Sequence, residues 1–214
     1  MGWSAPSVFG TAKLGGEAKK ADNKVDEKKT DSKTTVETKS VDGPKVGTKV
    51  EDKKFNYVVT KAGTTDGKTV GEVAVVASKN KKAKAVTVSA SVTIDGVKYN
   101  VTEIKAKAFY ANKKLTKVTI GKNVKKIGSK AFAKCTSLKS VNCKSNKLTT
   151  IGGSAFAGDK KLRTFKMKSN KKLKSVGKKA FKGVSKKCKF YVPKKLKKAY
   201  KKTLKKGGFK GKIK

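Results

Sequence analysis

Apolar residues in the second half of the chain recur in three interlocked columns. The pattern apolar-x-x-x-Ala-Phe occurs at Ile104–Phe109, Ile127–Phe132, Ile151–Phe156 and Val176–Phe181, which sets Phe109, Phe132, Phe156 and Phe181 23, 24 and 25 residues apart. Six residues after the first three of these come Leu115, Leu138 and Leu162. Nine residues after every Phe stand Val118, Val141, Phe165 and Phe190, and eleven after stand Ile120, Cys143, Met167 and Val192. Positions nine and eleven lie on one side of an extended chain, so this stretch predicts a short strand with one buried face. The pairs Val124/Ile127, Leu148/Ile151 and Leu173/Val176 supply the next inward positions. A unit of this length cannot bury its apolar edge alone, and stacking copies turns the columns into one continuous core. The expected fold is a repeat solenoid of mainly short parallel β-strands joined by turns and short helical segments.

The flanks read differently. Residues 1–45 are polar and mixed in charge with few large apolar residues, too few to offset the entropy of ordering, and are expected to be a disordered tether or linker. Residues 46–103 are rich in β-branched and aromatic positions, in Phe55–Thr60, Gly71–Ala77 and Ala85–Ile94. Asp95-Gly96 between two apolar runs predicts a hairpin whose central residues both take positive φ. This region is expected to be a β-rich cap for the solenoid at 104–192, a small independent β-domain being the alternative. At 193–214, Leu196, Tyr200 and Leu204 fall on one helical face, with Pro193 before them and Gly207-Gly208 after. They predict an amphipathic helix followed by a basic tail. Capping the last coil is the preferred role, and binding an anionic membrane surface is the other.

Charge changes the picture. The chain carries 57 basic and 14 acidic residues, a net of +43. From Ile104 onward there are 38 basic residues and a single acid, Asp159. The cations of this half are Lys apart from Arg163. Lys is a hydrated point charge without the planar fork of Arg that reads guanine or clamps phosphate, and the aromatics are committed to core positions, so no specific nucleic-acid recognition is expected. Two roles for the lysines stay open: a solvated surface, or an electrostatic platform that attracts polyanions.

Catalytic chemistry is poorly provided for. Without histidine there is no imidazole base, zinc nitrogen or Ser-His dyad. Asp159 alone cannot form the carboxylate pair of a glycosidase, and no phosphate-loop motif occurs. Cys135, Cys143 and Cys188 form no CxxC pair, so no metal site is expected; they read as buried thiols, with a disulfide left open. No enzyme activity and no cofactor are expected. No run approaches the length of a transmembrane helix, and Met1–Gly10 lacks the regions of a secretory signal.

The stretches KVTIGKNVKKIG at 117–128 and IGSKAFAKCTSLKSV at 127–141 resemble the BspA-like leucine-rich repeats of bacterial surface proteins. The resemblance runs over roughly residues 85–206 and weakens after Phe181, where Lys187 takes the place of the repeat Leu. The cysteine of the Ala-Phe turn survives as Cys135, with Asn112 and Asp159 in its place elsewhere. The resemblance implies a leucine-rich-repeat solenoid, a place outside the cell or at its surface, and adhesion to host or cell-surface proteins. Cytoplasmic residence stays open, as does the chain being a piece of a larger exported protein. The residues themselves point to a face. Outward strand positions stack Lys144 on Lys168, with Lys166 beside them and Arg163 expected on the same strand, so Lys144, Arg163, Lys166 and Lys168 are the candidate ligand contacts. Three functions follow: a binding or adhesion module for protein or anionic polysaccharide ligands, nonspecific association with polyanions, or a spacer without a ligand. Nothing in the sequence sets the oligomeric state.

Overall fold

A computed structural model describes residues 42–169 and 172–214. The tether expected at 1–45 lies outside the described residues except for its last four. The chain opens with strands β1 (Lys49–Glu51), β2 (Phe55–Lys61) and β3 (Gly71–Ser78), then β4 (Ala85–Val88), β5 (Ser91–Ile94) and β6 (Val97–Ile104). The coils follow as β7 (Lys117–Ile120), β8 (Lys126–Ile127), β9 (Ser140–Cys143), β10 (Thr150–Ile151), β11 (Thr164–Met167), β12 (Ser175–Val176) and β13 (Lys189–Tyr191). A 3-10 turn (Lys194–Leu196), helix α1 (Lys197–Lys206) and β14 (Lys212–Ile213) close the chain.

Two sheets form the long walls of a β-solenoid. One orders its strands β14-β13-β11-β9-β7-β4, all parallel. The other runs β1-β2-β3-β6-β8-β10-β12, with β5 paired to β6. In the first, Val86, Val118, Val141, Phe165, Phe190 and Ile213 stand in register, and in the second Ile104, Ile127, Ile151 and Val176 do. The inward side chains meet between the walls, where Leu115, Leu138, Leu162, Val118, Val141 and Phe165 are buried. Phe109, Phe132, Phe156 and Phe181, also buried, stack face to face along the axis with centroids 4.9, 5.2 and 5.5 Å apart. Phe55 closes one end of that stack edge-on and Phe209 the other.

The Ala-Phe turns form a third ladder. The amides of Lys130, Phe132 and Lys134 donate to the carbonyls of Gly153, Ala155 and Ala157 one coil on, and the same triplet recurs from Lys107 and from Ser154. Aiming alternate amides along the axis requires a left-handed residue on either side of each Phe. Lys107, Lys130, Ser154 and Lys179 take the first position, and Ala111, Lys134, Gly158 and Gly183 the second. The glycine of the Ile-Gly step answers a different need. A Cβ on Gly152 would lie 2.5 Å from the Ser129 nitrogen, and Gly128 and Gly177 face the preceding coil just as closely.

The run at 85–94 and the tail at 207–214 differ from the pattern reading. The run Ala85–Ile94 is not one strand: β4 joins the all-parallel wall and β5 the other, because the chain crosses between walls at Ser89–Ala90, where Gly121 packs against the backbone. The parallel wall thus begins a rung upstream of Ile104. The β-rich region is continuous with the coils, since β3 pairs with β6, and β6 with β8. Residues 207–214, expected only as a basic tail, fold back so that Phe209 is buried and β14 adds a last strand. Tyr200 and Leu204 of α1 are buried, and the helix packs on β12.

Candidate functional site

Side chains of the all-parallel wall alternate, so each strand that buries two residues presents the residues between them. The outer surface therefore carries columns set by register. One runs Thr87, Thr119, Asn142, Lys166 and Tyr191, and its neighbour runs Ala85, Lys117, Ser140, Thr164, Lys189 and Lys212. Beyond the strand ends Lys144 and Lys168 continue as a third: the Lys144 amide donates to the Ile120 carbonyl and the Lys168 amide to Cys143. Lys144, Lys166 and Lys168 are exposed and share this surface.

Arg163 does not join them, which corrects its expected position. Strand β11 starts at Thr164, and Arg163 stands just before it. Arg163 is exposed, and its guanidinium donates back to the Lys160 carbonyl at 3.1 Å. Pattern reading placed Asn142 on the outward face but passed over Tyr191. Tyr191 is 38% exposed and pairs in register with Lys166, which itself pairs with Asn142. Extending the outward parity through Phe190 would have found Tyr191.

A shallow depression of about 600 Å³ is lined by Asn142, Lys166, Lys168 and Tyr191 together with Met167, Val192 and Pro193. A second depression of about 410 Å³ is lined by Lys117, Ser140, Asn142, Thr164, Lys166 and Tyr191, so it shares three residues with the first. No acid lies on the strands of this wall. The other wall differs: Lys125 meets Glu72 at 2.7 Å, and Lys126 and Lys105 meet Glu103 at 3.2 and 3.4 Å. The Lys125 ammonium holds the Glu72 carboxyl below its usual range although burial pushes the other way.

The groups that could do chemistry are turned inward. Cys135, Cys143 and Cys188 are free and buried, and burial pushes their thiols up to about 12, 11 and 11. Asp159 is fully buried; its Oδ1 accepts from the Cys135 amide at 2.9 Å, while Oδ2 has no partner. Burial raises its carboxyl to about 9, so it is protonated at neutral pH. Among the described residues no group of three His, Cys, Asp or Glu side chains converges on a point, and no helix is long and apolar enough to cross a membrane.

The model of a family described as BspA type leucine rich repeat region, with six copies, matches residues 88–209. Among solved structures, a leucine-rich repeat protein from Bacteroides capillosus is 26% identical, with a TM-score of 0.52 over 65% of this chain and 94% of that one. A leucine rich cell surface protein from Faecalibacterium prausnitzii is 21% identical, with a TM-score of 0.47 over 67% of this chain and 45% of that one. The pneumococcal vaccine antigen PcpA is 21% identical, with a TM-score of 0.46 over 70% and 45%. No curated protein matches the chain.

Proposed function

The chain belongs to the BspA-type leucine-rich repeat family, and from that premise we propose that it is a non-enzymatic binding module of a secreted or surface-attached bacterial protein, contacting protein or anionic polymer ligands through the outer surface of its all-parallel wall. The observation that carries the reading is the acid-free surface on which the Lys144–Lys168 column lies beside Asn142, Lys166 and Tyr191. A stacked wall offers a long and regular contact area. Ammonium groups held one rung apart on it attract anions more strongly than the opposite wall, where carboxylates neutralise part of the charge. Family membership supports a place outside the cell.

The test is binding of the full chain to an array of matrix proteins, acidic glycans and wall polymers, at low salt and at about 0.15 M. Lys144, Lys166 and Lys168 changed together to Glu should abolish ligands that survive the higher salt. The same exchange at Lys130, Lys134 and Lys179, on the Ala-Phe side, should leave them bound. Equal losses from the two triple variants would replace a binding face with diffuse charge attraction.

A further inference from the structure

The outer surface of the all-parallel wall is not uniform. Its first rungs present Ala85, Thr87 and Thr119 with Lys117, whereas its last rungs present Lys166, Lys168, Lys189, Tyr191 and Lys212. From Ile104 to the end of the chain the one acid is Asp159, which is buried. The two depressions adjoin at Asn142, Lys166 and Tyr191 and together make a channel that crosses the strands. Within it the Tyr191 ring is the aromatic surface, and the Asn142 amide is a neutral donor and acceptor. Strands β9 and β11 are paired on both sides and β13 lies between β11 and β14, so their backbones have no open edge for an added peptide strand.

We propose that this channel is a binding site for an acidic saccharide, with the Tyr191 ring as the stacking platform and Lys166 and Lys168 as the countercharges. The proposal rests on the wall being a binding surface and names the ligand class for it. Three rungs at strand spacing span about 10 Å, room for a short oligosaccharide lying across the strands. Its apolar ring face meets Tyr191, its hydroxyls meet Asn142, and its carboxylate or sulfate groups meet the ammonium groups. Lys meets such anions as a rotatable point charge, without the fixed geometry that the fork of Arg would impose. A solitary ring does not provide the series of stacking surfaces that single-stranded nucleic acid uses.

The experiment measures affinity of the full chain for oligogalacturonate, heparin-derived hexasaccharide, polyglutamate and duplex DNA at about 0.15 M salt. Tyr191→Ala keeps the net charge and alters an exposed strand position. It should weaken the better of the two saccharides about tenfold and leave polyglutamate unchanged. Tyr191→Phe should bind like the parent. Which saccharide wins tells carboxylate from sulfate. Unchanged saccharide binding in Tyr191→Ala, an equal fall for every anion, or tighter binding of polyglutamate or DNA than of either saccharide would overturn the proposal. If the Lys144/Lys166/Lys168→Glu variant still binds every probe as the parent does, the wall itself is not the binding surface. If that variant loses saccharide while Tyr191→Ala does not, only the saccharide assignment fails.

Discussion

Asp159→Asn should remove one pH-dependent contribution to stability, so that parent and variant exchange rank between acid and neutral pH. In the fold the Asp159 carboxyl is fully buried with one oxygen on the Cys135 amide and the other unpaired, and it titrates at about 9. In the unfolded chain an Asp titrates at about 3.9. A raised folded value means that the native state holds its proton while the unfolded state gives it up, so stability falls as pH rises from about 4 to 9. Each unit is worth about 1.4 kcal/mol, so the loss by pH 7 is about 4 kcal/mol, a large share of the roughly 5–15 kcal/mol that holds a domain together. Asn cannot ionise, keeps an acceptor for the Cys135 amide, and already stands at the equivalent place one repeat-pair earlier as Asn112. Its buried NH2 group, if unpaired, costs about 1–3 kcal/mol independently of pH. The parent should therefore be the more stable near pH 4.5, and the variant from about pH 7 upward. The assay is urea unfolding of both proteins at several pH values and constant ionic strength. The lysines and thiols are common to both and cancel in the difference. A stability difference that does not change with pH would show that Asp159 is ionised in the fold and would refute the reasoning.

Other expectations come from the coil contacts. Gly152→Ala places a methyl 2.5 Å from backbone nitrogen of the preceding coil, which cannot give way as a side chain could. It should cost about 1–3 kcal/mol, whereas Gly153→Ala, at 3.4 Å from the Lys178 carbonyl, should change the urea midpoint little. Lys130→Gly relieves a left-handed residue at φ 56° and should raise stability by up to about 1 kcal/mol, read from the same unfolding curves. Phe132→Ala opens the ring stack between Phe109 and Phe156 and should cost about 3–5 kcal/mol. The thiols of Cys135, Cys143 and Cys188, buried and raised in pKa, should resist alkylation in the native protein and react once it is denatured. Native labelling of any of the three, followed by mass spectrometry, would contradict their placement.

The solenoid and its inward columns were legible along the chain because both depend on short periods. Alternation selects which side of a strand is buried, and the 23-to-25-residue recurrence of Phe stacks one coil on the next, so Phe109, Phe132, Phe156 and Phe181 could be placed before any coordinate was known. The candidate surface was legible only where the same alternation continued without interruption. It brought Lys144, Lys166 and Lys168 together, failed at Arg163, where the strand had not yet begun, and stopped short of Tyr191. Other features were decided between coils. Whether Asp159 is a solvated acid among lysines or a protonated group in the core depends on its burial by the neighbouring coils, which outweighs the opposing pull of the Cys135 amide 24 residues away. The crossing at Ser89–Ala90 depends on Gly121, and the left-handed turns on hydrogen bonds to the following coil. Periodicity states which residues face inward, but not what the neighbouring coil places against them. That second contact is long-range, and it decides protonation, backbone strain and the side chains that share a surface.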